Sequence, residues 1–261
     1  MTQHVLGRLT TIYWRLLSAP ARLAAAPRVE AAIWRGLGRA EGASRKGAWL
    51  ESLVSVTLTP EGTRRLYRIW RGDEKVPGLP LAEPQYIALA EALAIRGIPE
   101  TEAMLDAQAA KLTNPDRRAR FQFVRPSLSA SPTVRDSVFA SLGRVENRRR
   151  ESWALDALGN LNHPLHAGEE EHYIAPGLAL LEEIQRTGDI FFPLGWLNSL
   201  LDGHQSGTAA DLVAGFLATR TDLPPQLRGK LLQAADDLFR SARIVSGWAG
   251  GPVLEGEGSG G

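Results

Sequence analysis

The chain has 261 residues, 44% of them hydrophobic, enough for one large domain or two small ones around a substantial core. It contains no cysteine, so disulfides and thiolate metal sites are excluded, and its net charge of +1 gives no global drive toward nucleic acid or membrane. No apolar run approaches the ~20 residues of a membrane-spanning helix, and a soluble, cytoplasmic protein is the default expectation.

The opening stretch "MTQHVLGRLTTIYWRLLSAPARLAAAP" faintly mimics a signal peptide. Arg15 stands inside what would be its apolar run, so it reads as an amphipathic helix instead. Residues 1–50 carry Arg8, Arg15, Arg22, Arg28, Arg35, Arg39, Arg45 and Lys46 against Glu30 and Glu41 alone. The chain beyond residue 160 is acidic, with Glu169, Glu170, Glu171, Glu182, Glu183, Asp236 and Asp237. Such polarity suits docking against a larger surface; ordinary solvated helix faces are the plainer reading.

Next comes "SLVSVTLT" (52–59), the one β-branched run, read as the end of a helix that starts near Ser44. In "LTPEGTRRLYRIWRG", Thr59 is placed as N-cap, Pro60 at the first helical position and Glu61 beside the positive end of the helix dipole. Leu66, Ile69 and Trp70 then share a face. The same grammar recurs downstream. Asn114-Pro115-Asp116 opens a helix expected to bury Phe121 and Val124. Ser131-Pro132 opens one with Val134, Val138 and Leu142 at four-residue spacing. Ser206 precedes one with Leu212, Phe216 and Leu217 inward. Leu223-Pro224-Pro225 precedes one burying Leu227, Leu231, Leu238 and Phe239.

Short connections between successive amphipathic helices imply antiparallel hairpins. The fold class that follows is all-α, with helix hairpins stacked as an irregular bundle or an α-solenoid. No fixed repeat period supports a named repeat class. A single helical domain is drawn over 1–246, and the glycine-rich 247–261 is read as a disordered tail.

Chemistry is sparse. "HPLHAGEEEH" (163–172) holds three of the chain's five histidines, which are His4, His163, His166, His172 and His204. Pro164 and Gly168 break it, no His-Glu-x-x-His zinc helix exists, and only one Glu-x-x-His (Glu169, His172) occurs. The stretch reads as a connection followed by an acidic helix start, Glu169–Glu171, leading into a helix through Leu178 and Leu181. No metal or catalytic residue is assigned. No G-x-G-x-x-G follows a strand, and neither a Walker-type Gly-Lys-Ser/Thr nor a G-x-S-x-G elbow occurs. Adjacent carboxylates such as Glu182-Glu183 and Asp236-Asp237 point about 100° apart on a helix, so they form no acid/base pair. "NRRRES" concentrates Arg148, Arg149 and Arg150, candidates for gripping a carboxylate or phosphate of a peptide or other anion; the alternative is a charged helix start facing water. Nucleic-acid and membrane partners are not expected.

Five stretches in order resemble the C-terminal helical region of aminopeptidase N-type zinc metalloaminopeptidases, the gluzincin group, bacterial members especially. They are "VTLTPEGTRRLYRIWRG" (56–72), "LTNPDRRARFQFVRPSLS" (112–129), "RDSVFASLGRVENRRRESWALDALGNLNHPL" (135–165), "YIAPGLALLEEIQRTGDIFFPLGWLNSLLDGHQS" (173–206) and "LRGKLLQAADDLFRSARI" (227–244). The resemblance implies a non-catalytic helical domain that folds against a catalytic domain and encloses its substrate chamber. In that family zinc is held in the separate catalytic domain, by His-Glu-x-x-His and a downstream Glu, and a Gly-x-Met-Glu-Asn motif grips the substrate amino terminus. None of these motifs occurs here, so the resemblance carries over no catalytic or zinc residue. The implied partner is such a catalytic domain, in cis or in trans. The alternative is a stand-alone helical scaffold that binds a peptide or protein. The strongest stretch, "TGDIFFPLGWL", has Gly188 as a left-handed helix stop and Pro193 as the restart. Phe191, Phe192 and Trp196 are expected in the core, with a peptide-binding wall formed by Phe191 or Trp196 as the competing reading.

Overall fold

Several helices in this chain start at a side chain that caps them. The computed structural model describes residues 2–250, and no strand occurs among them. Its helices are α1 (Thr2–Thr11), α2 (Ala19–Arg39), α3 (Ala43–Val56), α4 (Pro60–Arg71), α5 (Glu83–Ile95), α6 (Thr101–Lys111) and α7 (Pro115–Val124). There follow α8 (Pro132–Leu142), α9 (Glu151–Leu161), α10 (Ile174–Ala179), α11 (Leu181–Thr187), α12 (Phe192–Leu201), α13 (Gly207–Thr219) and α14 (Pro225–Ser246). Thr59 caps α4 by accepting the Gly62 N–H at 2.9 Å, and Asn114 caps α7 by accepting that of Arg117 at 3.0 Å. Ser206 caps α13 through the Ala209 N–H at 2.9 Å. Each such cap is worth about 1 kcal/mol. The all-α expectation holds, and "SLVSVTLT" does close a helix, α3.

Backbone contacts divide the chain into two compact units, one over residues 1–141 and one starting at Leu142, where the sequence reading drew a single domain. In the first unit α3 packs on α1, α2 and α5, and α5 also receives α4 and α6. Leu66, Ile69, Leu93, Met104, Leu105 and Phe121 sit in its core. A buried carboxylate joins α2 to the start of α4. Glu30 accepts the N–H groups of Leu58 (2.7 Å) and Thr59 (2.8 Å) and the Thr59 hydroxyl (2.5 Å). These are orphan donors at a helix start, and a carboxylate is their strongest acceptor.

The N-terminal stretch is not one amphipathic helix. After α1 the chain winds into a π-helical turn (Ile12–Leu16), breaks, and restarts at α2 with Ser18 accepting the Ala21 N–H. Arg22 fills the break by donating to the carbonyls of Trp14 (2.7 Å) and Leu17 (3.0 Å). Beside it, burial, and next Glu30, push the Tyr13 phenol up to about 12.

In the second unit α12 is the hub, packed against α9, α10, α11 and α14, while α13 lies on α10 and α14. Two helix faces are corrected in part, one on α13 and one on α8, which belongs to the first unit up to Ser141. On α8, Leu142 is buried, but Val134 is 39% exposed and Val138 half-buried, whereas Arg135 is only 2% exposed. Its guanidinium reaches the carbonyls of Ser129 and Ala130, so a charged side chain lies on the inner face. On α13, Ala209, Ala210, Val213 and Leu217 are buried, while Leu212 and Phe216 are half-buried. Small alanines set the close approach, and the larger side chains sit at its flank. α14 buries the predicted Leu227, Leu231, Leu238 and Phe239. Of the predicted tail, residues 251–261 lie outside the described residues. Trp248, by contrast, stacks on Phe239 at 5.3 Å between centroids and donates to Asp211 at 2.7 Å.

Candidate functional site

The corner between α11 and α12 has a fixed backbone and two outward apolar side chains. α11 ends at Gly188, which is extended (φ −99°, ψ 176°) and not left-handed as expected. Glycine is needed there for space: the Phe192 ring occupies the volume that a Cβ would take. Asp189 then caps α12, accepting the N–H groups of Phe191 (2.7 Å) and Phe192 (2.8 Å), while its own N–H donates to Glu151 (2.9 Å). Lys230, on α14, grips the corner from the side by donating to the Ile190 carbonyl and to Gln185, each at 3.0 Å.

Burial of the three aromatics splits. Phe192 and Trp196 are buried, and the Trp196 indole N–H donates to the Gly177 carbonyl at 3.0 Å. Phe191 is 75% exposed and Ile190 71% exposed, so the core assignment of Phe191 is overturned. Phe192, the first residue of α12, takes the inward place, and Ile190 and Phe191 before it stay outside. Trp196, the other candidate for a peptide wall, is closed off in the core.

The three arginines do not converge. Arg148 is 3% exposed and donates to the Leu142 carbonyl (2.6 Å) and to the Glu183 carboxylate. Arg149 is exposed, and Arg150 is exposed with its guanidinium 5.2 Å from the Trp153 ring centroid. The fold therefore brings neither a three-arginine grip nor three solvated charges: the first of them already holds an anion from its own chain.

The histidine stretch is a run of turns. His163 Nδ1 accepts the Leu165 N–H at 3.2 Å, and His172 Nδ1 meets the Glu169 carbonyl at 3.1 Å. The acidic helix start is corrected too. Glu170 is 1% exposed, Glu171 opens a single 3-10 turn ending at Tyr173 and accepts the Ser206 hydroxyl, and Leu178 and Leu181 fall on separate helices. His172 Nε2 lies 3.9 Å from Glu170. Within residues 142–250, no three His, Asp or Glu side chains bring ligand atoms within 4.8 Å of one another.

The histidine that the fold buries is His204, which the sequence reading left unassigned. Its Nε2 meets Asn162 Oδ1 at 2.9 Å, and Asn162 donates its amide to the Leu158 carbonyl at 2.9 Å. Because that amide oxygen is the acceptor, Nε2 carries the proton. Burial pushes His204 down to about 4, opposed by the carbonyls of Ala167 and Leu200. Below the unfolded value of about 6.5 only the unfolded chain takes up the proton. Stability is therefore full above pH 6.5, falls as pH drops through that window and levels off below about 4, for a total on the order of 3–4 kcal/mol at most. Urea titrations between pH 7 and 5 are expected to show this slope in the parent and to lose it in His204→Gln; equal slopes would place the proton elsewhere.

Among the described residues no helix is long and apolar enough to cross a membrane. No family model matches the chain, and no curated protein is significantly similar to it.

Proposed function

We propose that this chain is a non-catalytic helical docking domain of the type that closes the substrate chamber in zinc-dependent metalloaminopeptidases, acting on a catalytic domain in cis or in trans. The observation that carries the reading is the Ile190–Phe191 corner. It sits inside the stretch with the strongest resemblance, its backbone is held by Asp189 and Lys230, and its two apolar side chains face outward. A rigid backbone presenting a large exposed aromatic fits a contact anchor better than a loop. In this reading zinc belongs to the catalytic partner, where it lowers the pKa of a bound water to ≈ 7 and polarises the scissile carbonyl.

The test mixes the purified chain with the catalytic domain of a zinc aminopeptidase encoded in the same genome. The chain alone is expected to release no amino-terminal aminoacyl reporter, with or without added zinc, and to retain no stoichiometric zinc after gel filtration. It is expected to bind the catalytic domain, and Phe191→Ala is expected to weaken that binding about tenfold or more, a loss of 1.4 kcal/mol or more. Chelator-sensitive reporter release by the chain alone would overturn the non-catalytic assignment. One zinc per chain, lost in His166→Ala/His172→Ala, would overturn the assignment of the metal to the partner. Absence of binding at low salt would favour the stand-alone scaffold, with the same corner serving a different peptide or protein.

A further inference from the structure

The charge polarity of the sequence has an asymmetric fate in the fold. Acidic side chains of the second unit are largely engaged at home: Glu182 with Arg220, Glu183 with Arg148, Asp236 with Arg240. So are many arginines of the first unit, where Arg65 and Arg68 share Glu74, Arg117 holds Glu83, Arg120 holds Glu91, and Arg125 holds Glu102 and Asp106. The α2–α3 hairpin departs from this. Among the described residues, Arg28, Arg35, Arg39 and Arg45 are exposed and none enters an ion pair.

Their placement is ordered. Positions 28, 35 and 39 of one helix fall within an arc of about 40° and span about 16 Å along the axis. They form a single file on the solvent face of α2. Arg45 joins from the start of α3. Arg35, Arg39 and Arg45 line one open cleft of about 540 Å³ with Trp49 and Glu41. Trp49 is half-buried, and the outer edge of its ring abuts Gly36 so closely that a Cβ there would stand 2.5 Å from it. The indole is therefore fixed against the helix as an apolar floor beneath the guanidinium groups. Glu41 lines the cleft but pairs with none of the three.

We propose that this face docks an acidic polypeptide segment of a protein partner, carboxylates on the arginine file and one apolar side chain on Trp49. The inference is independent of the aminopeptidase-like reading. Guanidinium forks match carboxylates bidentately, and four unneutralised cations on one face leave a field that the molecule does not cancel itself. The file is longer than any single small anion can bridge, so its occupant is a chain carrying spaced charges. A polypeptide is favoured over a nucleic acid because Trp49 is half-covered, whereas single strands stack on aromatic faces that stand free.

The probe is a short fluorescein-labelled peptide of glutamates interspersed with leucine, titrated with the full chain and followed by anisotropy. Saturable binding that weakens as salt rises is expected. Arg39→Glu and Arg35→Glu should each cut affinity about tenfold or more. Arg64→Glu, an exposed site on α4 with the same change in net charge, should change it less than about threefold. The glutamine version of the peptide should not bind. Four results would overturn the proposal: no binding of the glutamate peptide at low salt, binding of the glutamine peptide as tight as that of the glutamate peptide, equal losses for Arg64→Glu and Arg39→Glu, or tighter binding of a labelled oligothymidylate than of the peptide.

Discussion

Trp196→Ala is expected to cost about 3–5 kcal/mol in urea unfolding, and Phe191→Ala, five residues away in the same motif, less than about 0.5 kcal/mol. Trp196 has 0% of its surface exposed and lies on α12, the helix that four others of its unit pack against. Truncating it opens a cavity the size of an indole beside Phe192, whose ring centroid is 6.2 Å away, and strips the Gly177 carbonyl of its 3.0 Å donor. Both losses add, because an orphaned buried carbonyl costs about 1–3 kcal/mol beyond the transfer term. Phe191, at 75% exposure, is already in water and leaves little behind. Equal losses for the two variants would mean that Phe191 is covered within the chain, and would remove the contact anchor on which the functional proposal stands.

What the sequence made legible was local. Thr59-Pro60, Asn114-Pro115 and Ser206 each place a hydroxyl or amide oxygen one turn from an orphan N–H, and that geometry needs no distant partner. Long amphipathic runs such as Leu227 to Phe239 fix their own inner face by periodicity, and α14 keeps it. The misses lie where a remote group decides. Arg135 looks like a solvent residue until the carbonyls of Ser129 and Ala130 are folded back over it. Gly188 carries no record in sequence of the Phe192 ring that occupies its flank. Phe191 and Phe192 are chemically identical neighbours, and only the Asp189 cap and the Lys230 clamp determine which turns inward. His204 shows no motif at all; its buried ring is matched by Asn162, 42 residues away, whose oxygen it meets.

Glu183→Ala is expected to destabilise the chain by about 3–5 kcal/mol, as much as the loss of a core side chain. The reason lies with its partner. Arg148 has 2% of its side chain exposed and Glu183 34%, so the carboxylate is the only one of the two that water can reach. Removing it leaves a guanidinium enclosed with the Leu142 carbonyl at 2.6 Å and the Trp196 ring centroid at 6.0 Å as its remaining neighbours. A carbonyl dipole and an aromatic face attract a cation but do not neutralise it. Arg148→Met/Glu183→Ala deletes the stranded charge as well, and is expected to recover at least half of the loss, since apolar replacements of buried pairs are often nearly neutral. Arg149→Ala, in water next door, is expected to stay within about 0.5 kcal/mol. Urea unfolding of the set at low and raised salt checks the assignment, because an enclosed pair resists screening where an exposed one does not. If Glu183→Ala costs under about 1 kcal/mol, Arg148 swings out to water, and the three consecutive arginines regain a place on the surface where an external anion can meet them.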